Sequence, residues 1–185
     1  MPEYVPKNPQ LVHVRKYVAI LRKFGVAYKS VSLSFDETSQ TKKCIHPPGW
    51  QNTTVANSSF DNFKNALIQI TGPNSNIIVI DTDGPKHKTN KMINEICQKY
   101  CKYYNKTRKG YHFFFQFTTE FAKCQSIKYI DDPDHSGLDI KSTNGCVYYG
   151  SYKIGNDLIK YENILAEEIV PMPPAGEKCI KCINA

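Results

Sequence analysis

Two aspartates close a short apolar run of the sequence, Ile77-Ile78-Val79-Ile80-Asp81-Thr82-Asp83-Gly84. In a β-strand, residues i and i+2 point to the same face, so this segment would bring both carboxylates to one place. Carboxylate oxygens are the ligands that hard divalent cations prefer. The segment therefore predicts a metal site of the kind that supports phosphoryl or nucleotidyl transfer. Ordinary strands are also followed by glycine-containing turns, so the two acids need support from elsewhere in the chain.

A site that holds two cations needs a third carboxylate from another part of the chain. The best candidate is Asp139 in Gly137-Leu138-Asp139-Ile140-Lys141, where the apolar neighbours indicate a strand. Asp139 and Lys141 would share the face opposite the core, where a carboxylate must be solvated, paired or bound to a metal. An ion pair between Asp139 and a lysine at a strand edge is the simpler interpretation.

A basic, glycine-containing segment leads into an aromatic strand, Thr107-Arg108-Lys109-Gly110-Tyr111-His112-Phe113-Phe114-Phe115. Arg108 and Lys109 supply positive charge, and Gly110 permits close approach of a ligand to the backbone. His112 adds a hydrogen-bond donor, although a histidine among aromatic residues more often has a structural role. We predict that Arg108, Lys109 and His112 bind the phosphates of a nucleoside triphosphate.

The chain has 185 residues, a formal net charge of +7 and a pI of about 9.0, which favours polyanionic partners such as nucleic acid. Its most basic segment runs from residue 86 to residue 109, where Glu95 is the only acid. We predict that this segment or the loop around Trp50 contacts a single-stranded template. The lysines concerned are Lys86, Lys88, Lys91, Lys102 and Lys106. A solvated helix face would explain the same lysines.

The pattern of apolar residues predicts an α+β fold in a single domain of residues 1–170, followed by a Pro-containing tail or linker at 171–185. Helices are expected at 11–24, 59–70 and 89–104. Strands are expected at 26–34, 77–81, 111–117, 138–141, 146–149 and 158–161, and a long irregular loop at 35–59.

Composition and terminal sequence also exclude some classes of protein. No stretch approaches the roughly 18 apolar residues of a membrane span, and the N-terminus has no signal-peptide core. We therefore expect an intracellular protein, in the cytoplasm or in the nucleus of a host cell if it is viral, without a membrane partner. Seven cysteines are an odd number, and reduced thiols are expected. Cys179 and Cys182 have zinc-knuckle spacing, but a structural zinc site needs two such pairs, so the sequence leaves this open.

Three motifs, taken in order, resemble the catalytic core of archaeo-eukaryotic primases: Asp81-Thr82-Asp83, Gly110-Tyr111-His112 and Leu138-Asp139-Ile140. The resemblance is closest to the bifunctional primase-polymerase domain of plasmids, phages and large DNA viruses. Supporting matches are Lys43 with Pro47-Pro48-Gly49-Trp50, Thr71-Gly72, and Asn144-Gly145-Cys146-Val147 followed by Ser151. The resemblance covers about residues 10–165, and its specificity lies in the order and spacing of the motifs. Two departures are Lys141, where many members have arginine, and Tyr149-Gly150, where prolines are usual.

The resemblance implies a template-directed nucleotidyltransferase, which is a DNA primase, a DNA polymerase or both. It implies an RRM-like antiparallel sheet combined with a second α/β unit, with the site in the cleft between them. Asp81, Asp83 and Asp139 would hold two Mg²⁺ or Mn²⁺ ions. The implied nucleotide-binding residues are His112, Lys109, Arg108, Lys141 and Ser151. The implied partners are single-stranded DNA, nucleoside triphosphates and a fused or associated helicase.

Two other functions are compatible with the same sequence features. A non-catalytic, RRM-like domain could bind single-stranded nucleic acid by stacking bases on Tyr111, Phe113 or Phe115. It would leave the three acids unexplained, because carboxylates repel phosphate. A metal-dependent nuclease would use the same acids but would have no need for a triphosphate-binding segment.

Overall fold

A computed structural model of the protein describes residues 9–83, 88–119 and 137–173. Within these ranges the chain forms an α+β fold with two helices and two antiparallel sheets. The α+β class predicted from the pattern of apolar residues is therefore confirmed. Neither described helix is long and apolar enough to cross a membrane.

The two sheets have five strands each, and the chain passes from the first sheet to the second, back to the first and again to the second. The helices are Pro9–Lys23 (α1) and Lys88–Tyr100 (α2), and Trp50–Asn52 forms a short 3₁₀ helix. The strands are Tyr28–Asp36 (β1), Thr41–Ile45 (β2), Ala66–Ile70 (β3), Ile77–Thr82 (β4), Tyr103–Lys106 (β5), Tyr111–Gln116 (β6), Leu138–Lys141 (β7), Cys146–Ile154 (β8), Asp157–Lys160 (β9) and Glu162–Ala166 (β10). The first sheet has the order β2-β1-β3-β8-β9, and the second has the order β10-β5-β6-β4-β7.

Helix α1 matches the predicted helix at 11–24 closely, since it begins two residues earlier and ends one residue earlier, at Lys23. Val14, Tyr17 and Leu21 are buried at helical spacing on one side of α1. Gly25 follows the helix with φ +65°, a left-handed conformation that glycine adopts without strain. The N–H of Val26 then donates to the carbonyl of Leu21 at 2.9 Å, which satisfies one of the last carbonyls of the helix.

The second sheet separates two apolar cores, and side-chain alternation assigns each strand residue to one of them. On one face lie Ile78, Ile80, Phe113, Phe115, Leu138 and Ile140, which pack with Ile93 and Cys97 of α2. On the other face lie Ile77, Val79 and Phe114, which share a core with α1 and the first sheet. Asp81 has the parity of Ile77 and Val79, so its side chain lies on the side of the first sheet.

The predicted helix at 59–70 is wrong, because Ala66–Ile70 forms strand β3. All five of its residues are buried, since β3 lies between β1 and β8 in the middle of the first sheet. A strand buried on both faces shows no polar alternation, and its short apolar run cannot be distinguished from a helix by periodicity. The helical spacing of the preceding phenylalanines, Phe60 and Phe63, was misleading.

Other boundaries also differ from the predictions. The segment 35–59 is not a continuous loop, since it contains β2 and the 3₁₀ helix. The predicted helix at 89–104 ends at Tyr100, and Tyr103–Lys106 forms β5. Cys44, Cys97, Cys101 and Cys146 are free thiols, whereas Cys179 and Cys182 lie outside the described residues. In the predicted tail, Met172 is buried against the α2 core, and residues 174–185 lie outside the described ranges.

Candidate active site

Polar residues form a row that crosses all five strands of the second sheet at one level. Asp139 of β7 lies opposite Asp81 of β4, and Asp81 lies opposite His112 of β6. The row continues from His112 to Asn105 of β5 and from Asn105 to Asn163 of β10. Directly opposed residues of antiparallel strands share a face. The two acidic motifs and the histidine motif are distant in sequence, and strand register therefore brings them together on the face turned toward the first sheet.

His112 contacts Asp81 but is almost completely buried. Its Nε2 lies 3.5 Å from Oδ1 of Asp81, and only 2% of its side chain is exposed. Burial, and then the charges of Lys42 and Lys141, hold the pKa of His112 well below its ordinary value. The imidazole is therefore neutral near pH 7, and the contact is not an ion pair. Its Nδ1 has no hydrogen-bond partner among the described residues.

The surroundings of Asp81 strongly perturb its carboxyl group. Burial raises the pKa of Asp81 from 3.8 to about 7, and the negative charges of Asp83 and Asp139 add to the rise. Lys42 and Lys141 oppose part of this rise in the pKa. Repulsion among the three carboxylates is a feature that a bound cation would relieve.

Asp139 is at once a neighbour of Asp81 and the partner of a lysine. Its Oδ2 accepts a hydrogen bond from Nζ of Lys141 two residues along β7, which is an edge strand. The ion pair that offered the simpler interpretation of the sequence is therefore present. The other oxygen, Oδ1, is buried and has no partner within the described ranges. An unpaired buried carboxylate oxygen is costly unless a ligand satisfies it.

The chemical types of these side chains suit a divalent cation, but the side chains do not converge on one point as a bound ion requires. Three carboxylates provide the oxygen donors that Mg²⁺ and Mn²⁺ prefer, and the buried Oδ1 of Asp139 is free to ligate. As placed, no three His, Cys, Asp or Glu side chains in the described part of the chain converge closely enough to hold one ion. The carboxylates share a face without forming a complete coordination sphere.

A cleft of about 370 Å³ lies between the two sheets and contains two of the acids. One wall consists of residues from β1, β2 and β8 with the β1–β2 turn: Phe35, Gln40, Thr41, Lys42, Tyr148 and Tyr152. The other wall consists of Asp81, Asp83 and the β5–β6 turn residues Thr107, Arg108 and Lys109. The cleft thus combines carboxylates, three basic side chains and an aromatic surface. That combination suits a ligand with phosphates and a planar ring.

The basic turn of this cleft is held by its own hydrogen bonds. Oγ1 of Thr107 accepts from the backbone N–H groups of Lys109 at 3.3 Å and Gly110 at 3.0 Å. The N–H of Thr107 donates to the carbonyl of Gly110 at 2.8 Å, which closes the turn. The guanidinium of Arg108 lies 5.3 Å from the ring centroid of Phe35 across the cleft. Arg108 and Lys109, predicted from sequence, therefore line the cleft beside the acids.

Two other predicted site residues lie outside the lining of this cleft. Ser151 is buried in β8, where its backbone N–H and carbonyl are hydrogen-bonded to Asn65. Trp50 is half-buried, and its ring lies 4.9 Å from that of His46 with the two planes tilted by 31°. The structure therefore brings neither of them to the acids.

Two of the lysines predicted to contact a template, Lys91 and Lys106, lie on the other side of the second sheet. Lys91 is exposed on α2, which packs on the face opposite to the carboxylates. Lys106 has the parity of Tyr104, whose side chain packs on that same face, and Lys102 lies 4.0 Å from Glu167. Lys86 and the side chain of Lys88 lie outside the described part of the chain. If Lys91 and Lys106 bind a template, the single-stranded DNA must pass along the α2 face of the second sheet, opposite the face that carries the carboxylates.

Sequence reasoning missed the residues that the first sheet contributes. Lys42, Tyr148 and Tyr152 line the cleft, and the buried Tyr161 lies beside them with its ring 5.7 Å from that of His112. The only indication of these residues in the sequence was weak: side chains alternate along a strand, so every second residue of β2 and β8 could point into the cleft. The pairing of Phe35 with Lys42 assigns Lys42, rather than Lys43, to the cleft side of β2.

Comparison with known proteins adds no family for this chain. No protein-family model matches it, and no curated protein matches it. Any function assigned to the chain therefore depends on the geometry of its described residues and on the order of its motifs.

Proposed function

We propose that this protein is a template-directed nucleotidyltransferase, acting as a DNA primase, a DNA polymerase or both. The observation that carries the proposal is the register of β7, β4 and β6, which aligns Asp139, Asp81 and His112 beside a basic cleft. The described architecture, two antiparallel sheets facing one another across a cleft, is compatible with the archaeo-eukaryotic primase core that the motifs resemble. The order of those motifs along the chain supports the same assignment.

The three acids would hold two divalent cations, which when bound lower the pKa of an attacking 3′-hydroxyl and stabilise the charge on the triphosphate. Arg108 and Lys109 bind the β- and γ-phosphates from the β5–β6 turn, and they retain the pyrophosphate as it leaves. Phe35 and Tyr152 border the space that remains for the sugar and base.

His112 and Lys141 have roles that depend on their contacts with the acids. His112 orients the carboxylate of Asp81 through its Nε2 contact, while direct phosphate binding by His112, which the sequence predicts, requires the buried ring to become accessible. Lys141 neutralises Asp139 in the structure. Its ammonium would be available to a phosphate if Asp139 held a cation instead.

The burial of the aromatic strand argues against the single-strand binding alternative. Phe113 and Phe115 are completely buried beneath α2, so they offer no surface for base stacking. Tyr111 alone of the three is partly exposed. The nuclease alternative shares the acids, but the basic turn opposite the aromatic wall favours a triphosphate ligand.

Synthesis on a primed single-stranded DNA template with Mn²⁺ tests the proposal. We expect Asp81→Asn and Asp139→Asn each to reduce nucleotide incorporation on the order of 100-fold or more, because each removes an anionic ligand. Asp157→Asn is the matched control, since Asp157 is an exposed aspartate of β9, and it should retain wild-type synthesis.

Undiminished synthesis by the Asp81→Asn/Asp139→Asn double variant would remove the metal-site assignment. Degradation of the template without nucleotides, lost in the same variants, would identify the nuclease instead. Both outcomes are visible on one denaturing gel.

A further inference from the structure

Two adjacent lysines of β2 have different surroundings. Nζ of Lys43 pairs with the carboxylate of Asp36. Nζ of Lys42 donates a hydrogen bond to the hydroxyl of Tyr161 at 3.0 Å and lies 5.7 and 5.6 Å from the ring centroids of Tyr148 and Tyr161. Among the described residues, Lys42 has no carboxylate within ion-pair distance. It is a cation held by aromatic rings and not neutralised by an acid.

Lys42 belongs to the wall of the cleft that faces the acids. It lines the same cleft as Asp81 and Asp83. A ligand that spans the cleft from the acids to the first sheet would therefore lie beside Lys42.

Tyr161 is a rigid support for that ammonium. It is 2% exposed, and its backbone N–H donates to the carbonyl of Gly150 at 2.9 Å. It also lies where the chain leaves β9 of the first sheet for β10 of the second. A lysine held by such a residue has already lost part of its rotamer freedom, which reduces the entropy cost of binding a ligand.

We propose that Lys42 binds the phosphates of the incoming nucleotide from the wall opposite the three acids, and that Tyr161 positions its ammonium for this contact. The inference rests on the proposed function, because it requires a nucleoside triphosphate in this cleft. An ammonium has three donors, and the bond to Tyr161 leaves two of them for phosphate oxygens. Tyr161 is a positioning residue, since it acts through Lys42.

Equilibrium binding of a fluorescent deoxynucleoside triphosphate in the presence of Mn²⁺ tests the role of Lys42. Lys42→Met keeps the aliphatic stem against the rings and removes the charge, and Lys43→Met is the matched control on the neighbouring residue. We expect Lys42→Met to weaken triphosphate binding about tenfold or more, and to weaken binding of the corresponding monophosphate much less. Lys43→Met should stay within about twofold of wild type.

Tyr161→Phe tests the positioning role, because it removes the hydroxyl and keeps the ring. We expect it to raise the KM for the triphosphate severalfold with little change in kcat. In the Lys42→Met background the same change should have no further effect on KM, since the two residues act as one unit. An additive loss in the double variant would contradict the positioning role.

The outcomes separate this inference from the proposed function. Equal weakening by Lys42→Met and Lys43→Met would overturn the role of Lys42, even if synthesis still depends on Asp81. Binding of triphosphate that depends on Lys42, in a protein that makes no DNA, would support the role of Lys42 and overturn the polymerase proposal.

Discussion

Asp81 is the residue of the candidate site that interacts with most of its other ionisable groups. It is opposed by Asp139 on one side and His112 on the other, and Asp83 follows two residues later. Burial and the two other acids raise its pKa to about 7, so near neutral pH the group is only partly ionised without a cation. A cation must displace that proton, and divalent binding should therefore strengthen as the pH rises through 7.

The pH dependence of stability tests this description of Asp81. A group whose pKa rises from 3.8 to about 7 on folding binds more protons in the folded state across that window. The contribution of Asp81 to the free energy of unfolding should therefore fall as the pH rises from about 4 to 7, by on the order of 1 kcal/mol or more. His112, whose pKa is lowered on folding, contributes in the opposite direction below pH 6.5, so the Asp81 contribution is read from the difference between the wild type and a variant that lacks this carboxyl. Urea denaturation in a metal chelator measures the change.

Asp81→Asn is the control for that measurement, because asparagine does not titrate. It should lack the contribution of Asp81, so its free energy of unfolding should increase relative to that of the wild type as the pH rises from about 4 to 7. Equal slopes in the two proteins would show that the carboxyl of Asp81 is not perturbed by folding.

At the scale of the elements, the contact between β3 and β8 determines the shape of the first sheet. Gly150 of β8 lies opposite Ala66 of β3 and has φ +147°. A Cβ on Gly150 would lie 2.3 Å from the carbonyl oxygen of Asn65 and 2.6 Å from Cα of Ala66. Only glycine permits this approach, and β8 carries Tyr148 and Tyr152 to the cleft.

Alanine substitution at two glycines compares steric clash with backbone strain. Gly150→Ala should lower the free energy of unfolding by more than about 3 kcal/mol, because the obstructing atoms are backbone atoms. Gly25→Ala should cost only about 1 kcal/mol, because φ is +65° there but nothing lies within 4 Å. Chemical denaturation of both variants measures the difference, and similar losses would mean that β3 and β8 can separate without cost.

The elements also show where periodicity was informative. β7 was predicted with its observed bounds, because Leu138 and Ile140 alternate with Asp139 and Lys141. β3 was taken for a helix because both of its faces are covered, so no polar residue marks the strand period. β5 and β10 are short and were not identified, since their place depends on pairing with each other and not on local pattern.

At the scale of the whole molecule, nucleotide binding should depend more on where the positive charges lie than on the net charge. Arg108 and Lys109 line the cleft, whereas Lys91 and Lys106 lie on the α2 side of the second sheet. Charges separated by more than about 10 Å are largely screened at ordinary salt concentration. The two groups should therefore contribute differently to nucleotide binding.

Two double variants with the same loss of charge test this expectation. Arg108→Gln/Lys109→Gln should raise the KM for the nucleotide about tenfold or more in the synthesis assay. Lys91→Gln/Lys106→Gln should change that KM by less than about twofold. The salt dependence of single-stranded DNA binding in the second variant shows whether those lysines contact a template behind the sheet. Similar KM values in the two variants would mean that the affinity for the nucleotide depends on the net charge and not on the position of the charges.

The chemical types and spacing of Asp81, Asp83, His112, Arg108, Lys109 and Asp139 were evident from the sequence, because each belongs to a short segment whose local pattern predicts a strand end or a turn. Their mutual arrangement was not evident. Only strand register places Asp139 and His112 on either side of Asp81, and only burial shows that the imidazole is neutral and enclosed. Likewise, β1–β2 pairing turns Lys42 into the cleft, and packing places α2 with its lysines behind the sheet. Local pattern is encoded within a few residues, whereas register and the choice of face arise from contacts between segments that are distant in the chain.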